Sequence, residues 1–249
     1  MNLSAKFTLL SFVVICALPT TQASSDFLEW ITNTSGENTW RISLDVAQGE
    51  TEERALARDG ISAFSVSMNN SMPQFLNNKK GDPSRTYYSL EFDGYSSYME
   101  FPEVTKLVAP NELSFGIWVK PDTSSFQTSK ETQFVASKGA SLESGFSIAV
   151  TQHGGVRIIL VTDQGHFAAY GDNVLEPYLW QHIGFSWNGD TLQLYVDGKP
   201  VGSAVPAPGA FRDYALKPLT FGKPASMNSN YYKGLLACAI LTTQAFSKK

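Results

Sequence analysis

The chain has 249 residues, 43% of them hydrophobic, 12% aromatic and 17% charged, which supports a sizeable core and excludes general disorder. Its formal net charge of −4, with no basic cluster, argues against nucleic acid or an anionic membrane surface as a partner. The only cysteines are Cys16 and Cys238.

The start reads as a secretory signal. Lys6 precedes an uncharged run from Phe7 to Leu18, Pro19 breaks it, and Thr21 and Ala23 supply the small residues of a cleavage site before Ser24. The run is shorter than the roughly 20 residues that span a bilayer comfortably. Residues 1–23 are therefore expected to leave, giving a secreted, extracellular protein, or a periplasmic one in a bacterium. Cys16 leaves with them, so no intramolecular disulfide is expected, and Cys238 reads as a small buried hydrophobe.

Residues 24–38 read as a lead-in to one domain over 39–249. Trp40, Ile42, Leu44 and Val46 alternate with polar residues as a first strand. Gly49 to Gly60 is charged and suits a short surface helix or turn. A strand from Ile61 to Met68 and a long loop from Asn69 to Arg85 follow. Asn33 and Asn69 head glycosylation acceptor sequences. Tyr87 to Phe101 reads as two strands about a tight Asp93-Gly94 turn, and Leu113 to Lys120 as a strand that Pro121 ends. After a polar loop, Asp122 to Thr132, come strands at Phe134–Ser137, Phe146–Thr151 and Val156–Thr162, the last two joined through His153-Gly154-Gly155.

The clearest stretch is WQHIGFSWNGDTLQLYVDGKPVGS, Trp180 to Ser203. Ile183, Phe185 and Trp187 alternate with polar or small residues, as do Leu192, Leu194 and Val196. Asn188-Gly189 and Asp197-Gly198 are the dipeptides that tight primed hairpin turns require, so three antiparallel strands form a meander. Pro206 to Pro208 is a loop, and Leu219–Gly222 and Leu235–Leu241 complete the strands. Many short strands without a long helix predict a single all-β sandwich of two antiparallel sheets.

The order of these features resembles the laminin-G-like and pentraxin-like jelly rolls of the concanavalin A-like lectin/glucanase superfamily. SLEFDGYSSYMEF, LSFGIWVKPD, the meander and the closing YYKGLLACAILTTQAFS are similar to four family segments in the right order, over roughly residues 86–247. The resemblance implies a jelly roll whose members include sugar binders, adhesion modules and enzyme appendages. It also implies that His182 matches a common family histidine, read here as a satisfied strand residue. Two departures stand out. Ala237 and Cys238 replace the carboxylate pair frequent in the closing strand, and the chain stops at Lys249 without a catalytic domain, as a free-standing module would.

Glycoside hydrolysis needs two carboxyl groups flanking the scissile bond. Glu91-Phe92-Asp93 begins a spacing like that of related glucanases, but Tyr95 and Ser96 stand where the second glutamate belongs, so no catalytic residue is assigned. His153, His166 and His182 lack a metal-ligand spacing. Calcium is the one cofactor the resemblance suggests, and Asp93 and Asp122 are the loop carboxylates to test as its ligands. Sugar binding needs aromatic faces and planar polar groups, which two loop-like stretches offer: DQGHFAAYGDN (Asp163 to Asn173) and SMNSNYY (Ser226 to Tyr232). His166, Tyr170, Asp172, Asn230 and Tyr231 are the candidate ligand-binding residues. Trp118 and Tyr195 point away from the strand faces that read as core; they either line an exposed sheet face or pack under other structure. The expected function is a secreted, non-catalytic lectin-like module whose partner is a glycan or glycoprotein. An extracellular adhesion module binding proteins is the alternative, and an unusual glycosidase the third reading.

Overall fold

The structure, a computed structural model, describes residues 27, 30, 31, 34, 39–42, 45–47, 74–76, 87–101, 110–122, 132–139, 142–213 and 217–246. The signal sequence, the 49–60 turn, the 61–68 strand, most of the 69–85 and 122–132 loops, and both acceptor asparagines lie outside these residues.

The described residues form fifteen strands: β1 (Thr39–Ile42), β2 (Asp45–Ala47), β3 (Gln74–Leu76), β4 (Tyr87–Asp93), β5 (Met99–Phe101), β6 (Leu113–Pro121), β7 (Gln133–Lys138), β8 (Phe146–Thr151), β9 (Gly155–Thr162), β10 (Gly165–Gly171), β11 (Gln181–Trp187), β12 (Thr191–Val196), β13 (Lys199–Pro206), β14 (Leu219–Phe221) and β15 (Lys233–Thr242). One sheet has nine strands, with β13-β12-β11-β6-β15-β4-β2 as its path, β1 beside β15 and β3 beside β4. The other has six, in the order β10-β9-β8-β7-β14-β5. The expected antiparallel sandwich is what the chain forms, and the meander is its β11-β12-β13 edge.

Alternation explains the core. Phe115, Ile117, Ile183, Phe185, Leu192 and Leu194 are wholly buried on the inner face of the nine-stranded sheet. They meet Phe146, Ile148, Ile158 and Leu160 from the six-stranded one. Ring contacts bridge the two layers, with centroids 5.5 Å apart for Phe115–Phe146 and 5.3 Å for Phe146–Phe185. Trp187 satisfies its buried Nε1 by donating 2.7 Å to the Ala207 carbonyl.

Several local expectations are corrected. Asp93-Gly94 does not close a hairpin: β4 belongs to the nine-stranded sheet and β5 to the other, so the turn is a corner between layers. The span from Trp40 to Val46 is two strands on different partners, β1 on β15 and β2 on β4. Gln74–Leu76, expected in a loop, pairs with β4. Asp197 and Gly198 both have positive φ, 45° and 70°, as the primed turn demands. At the other hairpin only Gly189 does, at 93°. There the Asn188 side chain organises a longer loop, its Oδ1 accepting from the Thr191 N–H at 2.8 Å and the Asp190 N–H at 3.1 Å.

The described residues of the lead-in pack on the fold. Phe27, Trp30 and Ile31 are helical, and Phe27 and Ile31 are buried against the outer face of the nine-stranded sheet with Tyr195 and Ile240. Phe27 stacks on Tyr195 with centroids 4.0 Å apart and planes 6° from parallel. Glycines make the room. Gly116 and Gly184 are paired across β6 and β11, and a Cβ on Gly184 would lie 2.5 Å from the Phe115 carbonyl oxygen and 3.0 Å from the Phe27 ring. This settles where Tyr195 points: outward, beneath a covering segment.

Candidate functional site

With one outer face occupied, the other outer face is that of the six-stranded sheet. In β8, Phe146, Ile148 and Val150 enter the core, so Ser147, Ala149 and Thr151 face outward. In β9, Val156, Ile158 and Leu160 face inward and Arg157, Ile159 and Val161 outward. In β10, Ala169 is core, and His166, Ala168 and Tyr170 project from the surface.

Register aligns these residues in rows. Tyr170 is opposite Arg157, Arg157 opposite Ala149, Ala149 opposite Phe134, and Phe134 forms a parallel bridge with Tyr231. At about 4.8 Å per strand, the row from Tyr170 to Tyr231 is about 19 Å long. The next row holds Ala168, Ile159, Ser147, Ser137, Thr220 and Glu100. Tyr170 is 58% exposed, Arg157 and Tyr231 are half-buried, and Ala149 and Phe134 are buried. The row is thus open at one edge and recessed in its middle.

The Tyr231 end is pinned by short-range contacts. Asn230, at φ 56°, donates from Nδ2 to the Thr132 carbonyl at 2.9 Å, and its own carbonyl accepts the Phe134 N–H at 3.0 Å. Lys223 Nζ lies 4.0 Å over the Tyr98 ring, donates 2.9 Å to Asn228 Oδ1 and stands 4.0 Å from Glu100 Oε1. Partial burial, with Tyr98 and the Asp93 carboxylate nearby, pushes the Tyr231 hydroxyl above its ordinary pKa. It remains a neutral donor and acceptor at physiological pH.

The five predicted ligand residues fall into two groups. His166 and Tyr170 lie in β10 and Asp172 just beyond it, so the expected loop 163–173 is largely an edge strand: Gly165 to Gly171 pair with β9. Asn230 and Tyr231 lie at the far end of the row, beside β7, which is three strands away from β10. Register joins Tyr170 to Tyr231 in one line, while His166 is further along β10, beyond Ala168. Tyr232, in the same predicted stretch, is fully buried in the core.

Asp93 and Asp122 flank one residue. Asp93 is paired with Lys233 across β4 and β15, and the Asp122 N–H donates 3.2 Å to the Lys233 carbonyl. Asp93 organises its own corner. Its Oδ1 accepts the N–H groups of Tyr95, Ser96 and Ser97 at 2.8, 2.8 and 2.9 Å, and its Oδ2 accepts the Ser96 hydroxyl at 2.8 Å. Burial alone would raise its pKa, but the hydrogen bonds from Ser96, Ser97 and Tyr95 outweigh that and hold the carboxyl well below the usual range. Among the described residues, no three of His, Cys, Asp and Glu gather as a metal-holding group.

Glu91 faces Leu235, with Lys120 next in the row, rather than a second carboxylate. Cys238 is the bulged residue of β15, at φ 45°, buried beside Trp118 and Trp180. Contrary to the expectation of a satisfied histidine, His182 Nδ1 is buried with no hydrogen-bond partner among the described residues. Its ring packs on Trp118 at 5.5 Å and Phe27 at 6.2 Å, and burial pushes its pKa down to about 3. It is a neutral packing residue.

Sequence reasoning missed Arg157 and Phe134. The legible signal was the single charge in GVRIILVT, a strand whose other outward positions are Ile159 and Val161.

The family profile described as the concanavalin A-like lectin/glucanases superfamily matches residues 93–249. No curated protein matches the chain in sequence. Among solved structures, the chain is similar to the CBM40 domain of the Ruminococcus gnavus IT-sialidase bound to alpha2,3 sialyllactose, with a TM-score of 0.52 at 11% identity over 64% of this chain and 91% of that one. It is also similar to domain 4 of AbnA, an extracellular arabinanase from Geobacillus stearothermophilus in complex with arabinotriose. There the TM-score is 0.52 at 14% identity, over 85% of this chain and 96% of that one.

Proposed function

The chain belongs to the concanavalin A-like lectin/glucanases superfamily, and from that premise we propose that it is an exported carbohydrate-binding module without catalytic activity of its own. The glycan lies across the outer face of the six-stranded sheet, along the row from Tyr170 to Tyr231. The observation that carries this reading is that row: a tyrosine at each end, the Arg157 guanidinium, Ala149 and Phe134 between them, and Ala168 in the next row. Tyrosine rings offer a face to a pyranose and a hydroxyl to its substituents. Two domains of this architecture are solved with sialyllactose and arabinotriose, which makes glycans the first ligand class to test.

The test is a glycan array followed by titration calorimetry. Tyr170→Ala and Tyr231→Ala should each weaken binding about three- to ten-fold, the worth of one aromatic contact, while the melting temperature stays within a few degrees. Binding unchanged in both variants would place the ligand elsewhere. Silence on every glycan would favour protein contact instead. Calcium assistance through Asp93 and Asp122 predicts that EDTA lowers affinity and added calcium restores it. Export predicts a mature N-terminus at Ser24, read by mass spectrometry of the secreted fraction.

A further inference from the structure

We infer that the glycan carries a carboxylate, and that Arg157 is the residue that recognises it. The inference rests on the carbohydrate-binding reading above and narrows its ligand.

Arg157 stands between Val156 and Ile158, both core, so its side chain leaves the sheet on the outer face. Tyr170 is its neighbour on one side and Ala149 on the other. Its Nε is buried and has no hydrogen-bond partner among the described residues. Two other cations in contact with this sheet are treated differently. Lys138 is ion-paired to Asp213 at 2.7 Å and donates to the Lys217 carbonyl at 3.0 Å. Lys223 faces Glu100, Asn228 and the Tyr98 ring. Arg157 belongs to neither ion pair.

A partly desolvated guanidinium without an acceptor is costly to hold, and the cost is recovered when an anion arrives. Its planar fork fits a carboxylate with two parallel hydrogen bonds. Ala149, buried on one side of Arg157, has no side chain beyond Cβ to compete for that fork, while Tyr170, exposed on the other side, is placed to stack on the ring that bears the acid. Uronic acids and other carboxylated sugars fit this chemistry. Neutral sugars offer the guanidinium hydroxyl acceptors but no opposite charge, and a sulfate supplies the charge without the planar geometry of a carboxylate.

The wild-type protein decides the matter with paired probes: galacturonate oligomers against their methyl esters, sialyllactose against lactose, and carrageenan oligomers, which carry sulfate and no carboxylate, as the sulfated arm. Calorimetry should show the free acid bound about ten-fold or more tightly than its ester, a preference that weakens as salt is added. Arg157→Gln should abolish that preference by weakening the free acid far more than its neutral partner, and Arg157→Lys should retain part of it. Equal affinity for acid and ester overturns the inference, as does a preference that survives Arg157→Gln. Preference for the sulfated chain over every carboxylated one overturns the carboxylate assignment. Silence across all probes removes the carbohydrate reading and this inference together, whereas neutral glycans binding alone removes only this inference. If Arg157→Gln does not fold, the acid and ester comparison on the wild-type protein still supports or overturns the carboxylate preference.

Discussion

Gly116 shows how closely one residue can be constrained by something distant in sequence. A Cβ there would lie 2.7 Å from His182 Nε2 and 3.1 Å from Ile31 Cδ1, so Gly116→Ala must displace a packed imidazole or the segment that covers it. Overpacking of this kind costs typically about 1–3 kcal/mol, and thermal or urea unfolding should register it. His182 itself links this packing to pH. Its folded pKa, about 3, lies below the ordinary 6.5, so the unfolded chain binds the proton more readily between those values. The contribution of the neutral ring is complete above pH 6.5 and is lost as pH falls toward 3. Replacing His182 with Phe should flatten the acid limb of the stability profile over that window; an unchanged limb would refute the assignment. A glycine inside a strand was visible in LSFGIWVKP and in QHIGFSW, and it signals close approach. What approached was not visible, because Phe27, Trp30 and Ile31 are too few to give a helical period.

Strands with one buried face were legible because alternation records burial directly. Phe146–Thr151 and the meander are examples, down to the turn at Asp197-Gly198. Edge strand β10 was not. Its sequence GHFAAYG has exposed or half-buried residues at most positions, and little apolar contrast remains to mark a period. The Asp93 corner failed for another reason. Asp-Gly marks a reversal, but whether the chain pairs back or crosses to the second layer depends on partners far away, here β14 and β15. The carboxylate that accepts three backbone N–H groups is what shapes this corner. Asp93→Ala should cost about 1–2 kcal/mol by chemical denaturation, with Asp93→Asn losing less because an amide oxygen still accepts. The depressed pKa of Asp93 means that its contribution is full at neutral pH and fades in strong acid, as the carboxyl protonates.

Across the whole molecule, two antiparallel layers were legible from pattern, while the assignment of their outer faces was not. Tyr170 and Tyr231 were identifiable as aromatic surface residues, but only register shows that they share a row with Arg157 and Phe134. A different interaction secures the end of the six-stranded layer. The Lys138–Asp213 pair joins β7 to the segment after Phe211, and both side chains are fully buried. Breaking it with Asp213→Asn leaves a buried ammonium and should cost about 3–5 kcal/mol. Replacing both partners with apolar residues of similar size should recover much of the loss, and differential scanning calorimetry of the double variant checks this.

Phe27 rests on the back of the nine-stranded sheet, and the Tyr170 row lies on the opposite side of the sandwich. An anchor attached at that phenylalanine is therefore attached at the rear. Biotin or a surface anchor placed there presents the sugar-facing strip outward, whereas the same anchor introduced on β10 would turn it toward the support.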